Sequence, residues 1–281
     1  GNGKCVVARS EPGGSIVSHY GGAPRQIHYF GELNIAIQVC DVMVLPEVRL
    51  HYGKSSLFFK TAATFLEREI GNTVGHLLGF GFPNKKAMNI ALRLGLYEKT
   101  DDFLEVILPH VTSKSFSEYK LLDIDSENPA HWDAVNRLWE LMHPDFKAGI
   151  IGIRNWGYIK YRYFDHPFGN SGEFKRVFLL DAQGDIRAAF FLKKHDQRSL
   201  IMDIICPLKD INKYVLQLNI LLDETELKMW ITKGWSNAIE VEGSVRNDLG
   251  IEIPCNHWNP GPSSQILYGA WWLTAGDMDF M

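Results

Sequence analysis

The chain has 281 residues, of which 46% are hydrophobic and 22% are charged. This composition excludes a disordered chain, which would be poorer in apolar residues and richer in net charge. The length allows one large domain or two smaller ones. The 29 basic and 33 acidic residues give a net charge of −4, so no basic excess points to nucleic acid or to an anionic membrane. Apolar runs end within about ten residues, well short of the ~20 needed to span a membrane.

Cysteine usage indicates a reducing compartment. The four cysteines are scattered, none forms a C-x-x-C pair, and Cys40 and Cys206 lie inside apolar runs. This pattern favours buried free thiols over zinc or redox sites, so we expect a cytoplasmic protein without a bound metal. The segment Gly1–Lys4 lacks the apolar region of a signal peptide.

The first hundred residues alternate between extended and helical patterns. Turn residues at 21–24 and 31–32 separate short apolar stretches, whereas residues 55–70 carry an apolar stripe at helical spacing. The predicted elements, in chain order, are strands at 4–9, 15–20, 26–30 and 34–45, a helix at 55–70, a strand at 76–82 and a helix at 85–94.

A similar order returns after a polar stretch at 112–130, which we interpret as a boundary or a connecting strand. The predicted elements are helices at 131–142 and 154–164, strands at 175–181, 186–193 and 199–206, a helix at 210–223, a strand at 227–232, a weak helix at 235–249 and a last strand at 264–274. The two halves share one short motif, an Asp followed by an apolar strand that ends in Pro, at 41–46 and again at 203–207. Together these elements predict an α/β fold.

The segment most informative about chemistry joins a strand ending at Pro46 to the helix that begins near residue 55. Its residues Gly53, Lys54, Ser55 and Ser56 would present backbone N–H groups at a helix N-terminus, an arrangement suited to a pyrophosphate. The order is not that of a nucleotide P-loop, and no G-x-G-x-x-G follows a strand, so neither nucleotide motif is supported. An ordinary strand-to-helix turn is the alternative.

Four motifs together carry a family resemblance: Asp41–Pro46, Gly53–Ser56, Gly81–Asn84 and Leu94–Leu96. Their order and spacing resemble the GNAT superfamily of acyl-CoA-dependent N-acyltransferases. The resemblance implies an α/β fold of the α+β type with two GNAT-like units, each a mixed, mostly antiparallel sheet flanked by helices. Residues 1–111 would form a unit that lacks the family's first strand and first helices, and residues 112–281 a more divergent unit.

The same resemblance implies a cofactor site in the first unit. In the family, a splayed strand pairs with the pantetheine arm, a role that falls on Met43, Val44 and Leu45. The loop Gly53–Ser56 would hold the pyrophosphate, with Lys54 adding positive charge, and Asn84 matches a further position that contacts CoA. The implied co-substrate is acetyl-CoA or another acyl-CoA, with no metal.

The catalytic candidates are less well matched to the family. Asp41 is a candidate base or partner of the substrate amine, although it could equally pair with a neighbouring strand. Many family members have a Tyr that acts as the general acid, and this chain has Ala91 at that position. Tyr97 lies nearby in sequence but does not match the pattern. Glu32 and His19 are placed on the side where an acceptor would bind, although a lone His is more often structural.

The favoured function is therefore transfer of an acyl group, most simply acetyl, from CoA to the amine of a small molecule. The partner is expected to be that acceptor, with neither nucleic acid nor membrane involved. The alternative is a catalytically degenerate GNAT-like scaffold that binds a small molecule or a partner. The absent Tyr favours the scaffold, as do Leu50 and Ser55, which depart from the family's loop pattern. The Gly53–Ser56 loop and the Gly81–Asn84 motif favour the enzyme.

Overall fold

A computed structural model of the chain describes residues 2–49, 53–71, 75–109, 117–167, 169, 172–222, 224–256 and 261–278. Two compact units are present, each assembled from separate stretches of the chain. The first contains Gly1–Ile27, Glu32–Asp102 and Gly250–Ala270, and the second contains His28–Gly31, Phe103–Leu249 and Trp271–Met281. The predicted boundary between residues 111 and 112 lies outside the described residues.

Strands and short helices are interspersed along the chain. The strands are β1 (Lys4–Arg9), β2 (Ile16–Tyr29), β3 (Glu32–Val44), β4 (Gly79–Gly81), β5 (Tyr97–Ile107), β6 (Lys120–Asp123), β7 (Ile150–Gly152), β8 (Phe174–Leu180), β9 (Ile186–His195), β10 (Arg198–Ile205), β11 (Glu226–Thr232), β12 (Val245–Asn256) and β13 (Trp271–Trp272). The helices are α1 (Leu57–Glu69), α2 (Lys85–Arg93), α3 (Pro129–Met142), α4 (Trp156–Ile159), α5 (Ile211–Leu222) and α6 (Ser264–Leu267). The predicted α/β class is confirmed.

The first unit is a mixed sheet in the order β1-β2-β3-β4-β12-β5, in which β3 and β4 run parallel. One apolar core joins its sheet to α1 and α2. The buried residues of this core are Tyr20, Ile37, Ala62, Phe65, Leu66, Ile70, Met88, Ala91, Leu96 and Tyr97. Ser56 and Asn84 begin the two helices, because each side chain accepts a hydrogen bond from a first-turn backbone N–H.

The turn predicted at 21–24 is wrong, because β2 runs unbroken through it. Gly22 pairs with Lys4 of β1. A Cβ at Gly22 would lie 2.8 Å from Cγ1 of Ile37 and 2.9 Å from the carbonyl oxygen of Gln38. The glycine therefore permits close packing of neighbouring strands instead of marking a turn.

The second unit is a sheet in the order β6-β8-β9-β10-β11-β5, in which β10 and β11 are parallel and the other described pairs are antiparallel. Apart from β5 and β7, for which no strand was predicted, its elements agree with the predicted ones up to β11. The weak helix predicted at 235–249 is wrong, because a 3-10 turn at Lys233–Ala238 is followed by β12. The apolar residues Leu249, Ile251 and Ile253 alternate with a period of two, which is the signature of a strand.

The predicted last strand at 264–274 is also wrong in extent: residues 264–267 are α6, and only Trp271 and Trp272 form a strand, β13, which pairs in parallel with β7. A large apolar core fills the second unit and includes Trp139, Phe146, Phe178 and Trp272. Among the described helices, none is both long enough and apolar enough to span a membrane.

Candidate functional site

The candidate site of the first unit lies where two parallel strands part. β3 and β4 pair from Ile37–Gly79 to Val39–Gly81, and β3 then continues to Val44 without β4 beside it. A parallel pair that separates in this way leaves one edge of the longer strand available to a ligand. The predicted residues Asp41, Met43 and Val44 all lie on this outer part of β3, and Leu45 follows it directly.

The backbone changes direction at Asp41, two residues beyond the last pair with β4. Asp41 has a φ of 53°, in the left-handed region that residues other than Gly rarely adopt. Such a conformation costs about 1–2 kcal/mol, so the surrounding contacts have to hold it. One of these is a hydrogen bond of 2.6 Å between Nδ1 of His19 on β2 and the carbonyl oxygen of Asp41.

Beyond Asp41, apolar side chains of β3 are exposed to solvent. Val42 is 45% exposed and Met43 is 38% exposed. The Ser18 hydroxyl donates to the carbonyl oxygen of Met43 at 3.2 Å, and it lies 3.0 Å from Oγ1 of Thr61 on α1. That Oγ1 is also 3.0 Å from the carbonyl oxygen of Leu57. A chain of hydroxyl groups thus connects the outer part of β3 with the first turn of α1.

The predicted phosphate loop lies at the start of α1. Gly53, Lys54 and Ser55 form an exposed 3-10 turn, and Gly53 has a φ of 73° with no atom within 4 Å of the place where a Cβ would be. The Ser56 hydroxyl donates to the carbonyl oxygen of Gly53 at 2.7 Å and accepts from the N–H of Phe59 at 3.2 Å. Ser56 is therefore engaged as the helix cap, while the turn before it faces solvent.

Asn84 occupies the equivalent place before α2, in the short connection from β4. Its Oδ1 accepts from the N–H of Ala87 at 2.9 Å, and the side chain is exposed. Lys85 and Lys86 follow at the start of the helix. The cap leaves the amide NH₂ of Asn84 as a donor that a ligand could use.

The three catalytic candidates do not come together. Tyr97 lies in the core of the first unit, its hydroxyl bonded to that of Tyr20, and burial raises its pKa to about 12. Glu32 starts β3, whereas Asp41 lies near its end, so at about 3.3 Å per residue the two are about 30 Å apart. Only Asp41 lies beside the residues predicted to bind the cofactor. The catalytic roles of all three stay predictions.

The second unit repeats the parting of parallel strands. β10 and β11 pair from Arg198–Glu226 to Ile201–Met229, after which β10 continues with Asp203 two residues further on. The offset is the same as that between Val39 and Asp41 in the first unit. The structure thus gives the two aspartates of the shared sequence motif equivalent positions within their own units.

Unlike Asp41, Asp203 is completely buried in a network of charges. Arg154 donates to Oδ1 of Asp203 at 3.1 Å and to Oδ2 of Asp277 at 2.5 Å, and Tyr163 donates to Oδ2 of Asp203 at 3.1 Å. Burial raises the pKa of Asp203, while the neighbouring guanidinium opposes that rise. Burial alone would lower the pKa of Arg154, but the two carboxylates raise it.

The chain's own segment 273–276 lies between the parting strands of the second unit. Thr274 bridges to Ile231 of β11, and Gly276 packs on Met202 of β10, since a Cβ there would lie 2.7 Å from the carbonyl oxygen of Met202. Asp277 closes the turn by accepting from the N–H of Thr274 at 2.9 Å. Sequence alone gave no sign of this packing, because the contacts join residues far apart in the chain.

Within the described part of the chain, no three His, Cys, Asp or Glu side chains are grouped so that they could hold a metal ion.

No protein-family model matches this sequence, and no curated protein matches it. Among solved structures, the chain is similar to a conserved protein of unknown function from Enterococcus faecalis V583, described as a probable N-acyltransferase, with a TM-score of 0.61 and 11% identity over 86% of this chain and 59% of that one. It is similar to a GCN5-related N-acetyltransferase from Kribbella flavida, with a TM-score of 0.58 and 12% identity over 86% of this chain and 57% of the other.

A third similar structure is Saccharomyces cerevisiae N-myristoyltransferase with bound myristoyl-CoA, with a TM-score of 0.50 and 9% identity over 90% of this chain and 66% of that one. This chain spans about three fifths of the length of the two bacterial proteins. At such low identities the likeness shows the fold, which is that of GNAT-type acyltransferases.

Proposed function

We propose that the protein is an acyl-CoA-dependent N-acyltransferase whose first unit binds the acyl-CoA. The observation that carries the proposal is the outer part of β3, where Asp41, Val42 and Met43 are exposed, together with the exposed Gly53–Ser55 turn before α1. A pantetheine arm can pair with the free edge of such a strand, and a pyrophosphate with the N–H groups of such a turn. The similar folds of known acyltransferases support this reading.

In this proposal Met43, Val44 and Leu45 bind the pantetheine arm, Gly53, Lys54, Ser55 and Ser56 bind the pyrophosphate, and Asn84 contacts CoA through its free amide. In this proposal both units are GNAT-like, and the first holds the cofactor. The buried strand of the second unit supports this division of roles, since Met202, Ile204 and Ile205 are all 0% exposed.

The proposed reaction moves the acyl group, acetyl in the simplest case, to the amine of a small molecule. The net charge of −4 gives no support for a polyanionic partner. The protein acts in the cytoplasm, which is compatible with all four of its cysteines being free.

The competing proposal is a degenerate scaffold that binds a ligand without turnover. It is favoured by the burial of Tyr97, which removes one candidate acid from solvent, and by the use of the Ser56 hydroxyl as a helix cap. Under this proposal CoA or a related molecule binds, but no acyl group leaves it.

Calorimetric titration with acetyl-CoA tests the site. Gly53→Glu places a carboxylate where the pyrophosphate would lie, and we expect it to abolish binding. Gly95→Glu is the matched control, because Gly95 also has a positive φ (69°) and open space around its missing Cβ. Gly95 follows the C-terminal end of α2 and is not part of the predicted phosphate loop. Absence of binding to the unchanged protein would exclude the proposed function, and binding that survives Gly53→Glu would exclude the site.

Thiol release from acetyl-CoA, measured against a panel of small-molecule amines, separates the enzyme from the scaffold. The enzyme releases CoA faster in the presence of at least one amine. A protein that binds acetyl-CoA but releases no thiol with any of them is a scaffold.

A further inference from the structure

His19 stands out among the polar side chains around Asp41 because its ring is held in one orientation. Nδ1 lies 2.6 Å from the carbonyl oxygen of Asp41. The ring also lies over Gly21, since a Cβ there would be 2.7 Å from Cε1 of His19. A larger residue at position 21 would displace the ring, so the glycine leaves room for this orientation.

The hydrogen bond determines which nitrogen of the neutral ring carries the proton. A carbonyl oxygen can only accept, so Nδ1 must be the donor. The other ring nitrogen, Nε2, is then unprotonated in the neutral ring and has a lone pair that can take a proton. His19 is only partly buried, so this lone pair is not sealed inside the core.

The position of His19 on β2 directs it away from α1. Ser18 and Tyr20, its neighbours, both contact α1, through Thr61 and Phe65 respectively. Successive side chains of a strand point to opposite faces, so His19 is on the opposite face of the sheet from this helix. An acceptor approaching that face would not have to pass the helix that holds the phosphate loop.

If acyl-CoA binds as in the proposed function, on which this inference rests, the thioester carbonyl carbon lies near the His19 ring. With the pyrophosphate at Gly53–Ser56 and the pantetheine arm along Leu45 to Met43, the sulfur and the acyl group lie further back along β3. The next residues in that direction are Val42 and Asp41, whose carbonyl oxygen holds His19.

The other titratable candidates fit the task less well. The Tyr97 hydroxyl is buried and bonded to Tyr20. Glu32 lies at the far end of β3, about 30 Å away at the usual rise of a strand. The Asp41 carboxylate is close by, but its side chain is exposed and no hydrogen bond to it orients it among the described residues.

We propose that His19 is the general base of the acyl transfer. Nε2 removes a proton from the amine as its nitrogen attacks the thioester carbonyl carbon. A C–N bond forms, the C–S bond breaks, and the proton passes from the imidazolium to the departing sulfur. The products are the amide and free CoA, so atoms and charge balance and no further reactant is required.

Bromoacetyl-CoA tests whether the ring lies at the acyl end of the cofactor. An imidazole nitrogen beside the acyl carbon displaces bromide and becomes alkylated. The reaction is run in a Cys5→Ser, Cys40→Ser background, so that thiols do not intercept the reagent, and the modified residue is located by peptide mass spectrometry. We expect modification of His19, suppressed at least tenfold by excess CoA and absent after His19→Asn. Modification elsewhere, or of His19 without suppression by CoA, would overturn the proposal.

His19→Asn also tests the role as a base, because its amide N–H can still donate to the carbonyl oxygen of Asp41 while no basic nitrogen remains. With the amine that gives the fastest thiol release, we expect kcat to fall by about 10²-fold or more, the usual contribution of general base catalysis. Calorimetric affinity for acetyl-CoA should change less than twofold. An unchanged kcat would exclude His19 as the base, whereas failure of the unchanged protein to bind acetyl-CoA or to release thiol would contradict the proposed function itself.

Discussion

The two units contain the same parting of parallel strands and use it in opposite ways. In the first, the strand beyond Asp41 is exposed, with Met43 38% accessible. In the second, the strand at Asp203 is fully buried, because segment 273–276 packs between β10 and β11. The difference shows that an equivalent backbone can serve as an open edge or as part of a core.

The charges around the two aspartates explain how the second arrangement is held. A buried carboxylate is costly unless it is paired and hydrogen-bonded. Arg154 and Tyr163 satisfy Asp203 from inside the second unit, whereas the Asp41 side chain faces solvent and needs no such partner. The aspartate was therefore compatible with both environments, and its neighbours determined which one it has.

The largest expected effect comes from removing the cation between the buried carboxylates. Arg154→Met leaves Asp203 and Asp277 buried without the guanidinium that they share, so we expect a loss of about 3–5 kcal/mol in the free energy of unfolding, measured by urea denaturation. The loss should shrink as the pH is lowered from 8 to 5, because protonation then removes the uncompensated charge.

Arg187→Met is the matched control for that change. Arg187 also pairs with two aspartates, Asp181 and Asp185, at 2.6 and 3.0 Å, but on the surface. Solvent screening makes such pairs weak, so little change is expected. Equal losses for the two variants would show that the buried network does not stabilise the second unit more than a surface pair does.

A smaller loss is expected when segment 273–276 is forced away from β10. Gly276→Ala would bring a methyl group against the Tyr163 hydroxyl and within 2.7 Å of the carbonyl oxygen of Met202. Overpacking of this kind costs about 1–3 kcal/mol. Gly157→Ala is the comparison, because the nearest atom to its Cβ is 3.5 Å away. If both variants melt at the temperature of the unchanged protein, the segment does not pack as tightly as described.

In the first unit, Thr61→Val tests the hydroxyl chain between α1 and β3. The Ser18 hydroxyl would lose one neighbour, so we expect a loss of about 1 kcal/mol in stability and weaker binding of acetyl-CoA by calorimetry. The control is Thr64→Val, since the Thr64 hydroxyl is exposed and bonds only the carbonyl oxygen of Lys60, at 2.7 Å, among its described contacts. Equal affinities for the two variants would argue against a link between the strand and the phosphate loop.

The smallest expected effect is on the pH dependence of stability, through His28 in the second unit. Burial and the nearby charge of His143 lower the pKa of His28, while Gly31 and Glu140 oppose this. Because the unfolded chain binds the proton more readily, acidification through the ordinary His pKa of about 6.5 should reduce stability. We expect His28→Gln to show a smaller loss between pH 7.5 and 5.5 in urea denaturation. An unchanged pH dependence would mean that His28 is not responsible.

Local patterns in the sequence were sufficient for most elements. Helix α1 was predicted from its apolar stripe, and the strands β3, β8, β9 and β10 from apolar stretches between turn residues. One error arose because glycine occurs both in turns and in strands that pack closely together. Gly21 and Gly22 were interpreted as a turn, but their lack of side chains allows β2 to pack closely beside β3.

The sequence by itself determined many of the strands and helices, the loop before α1 and the recurrence of the Asp motif, because these depend on spacing along the chain. Only the tertiary structure decided that Asp41 is exposed and held against His19, that Tyr97 is buried against Tyr20, and that residues 273–276 fill the second unit. Those facts depend on contacts between residues distant in sequence, about which local pattern carries little information.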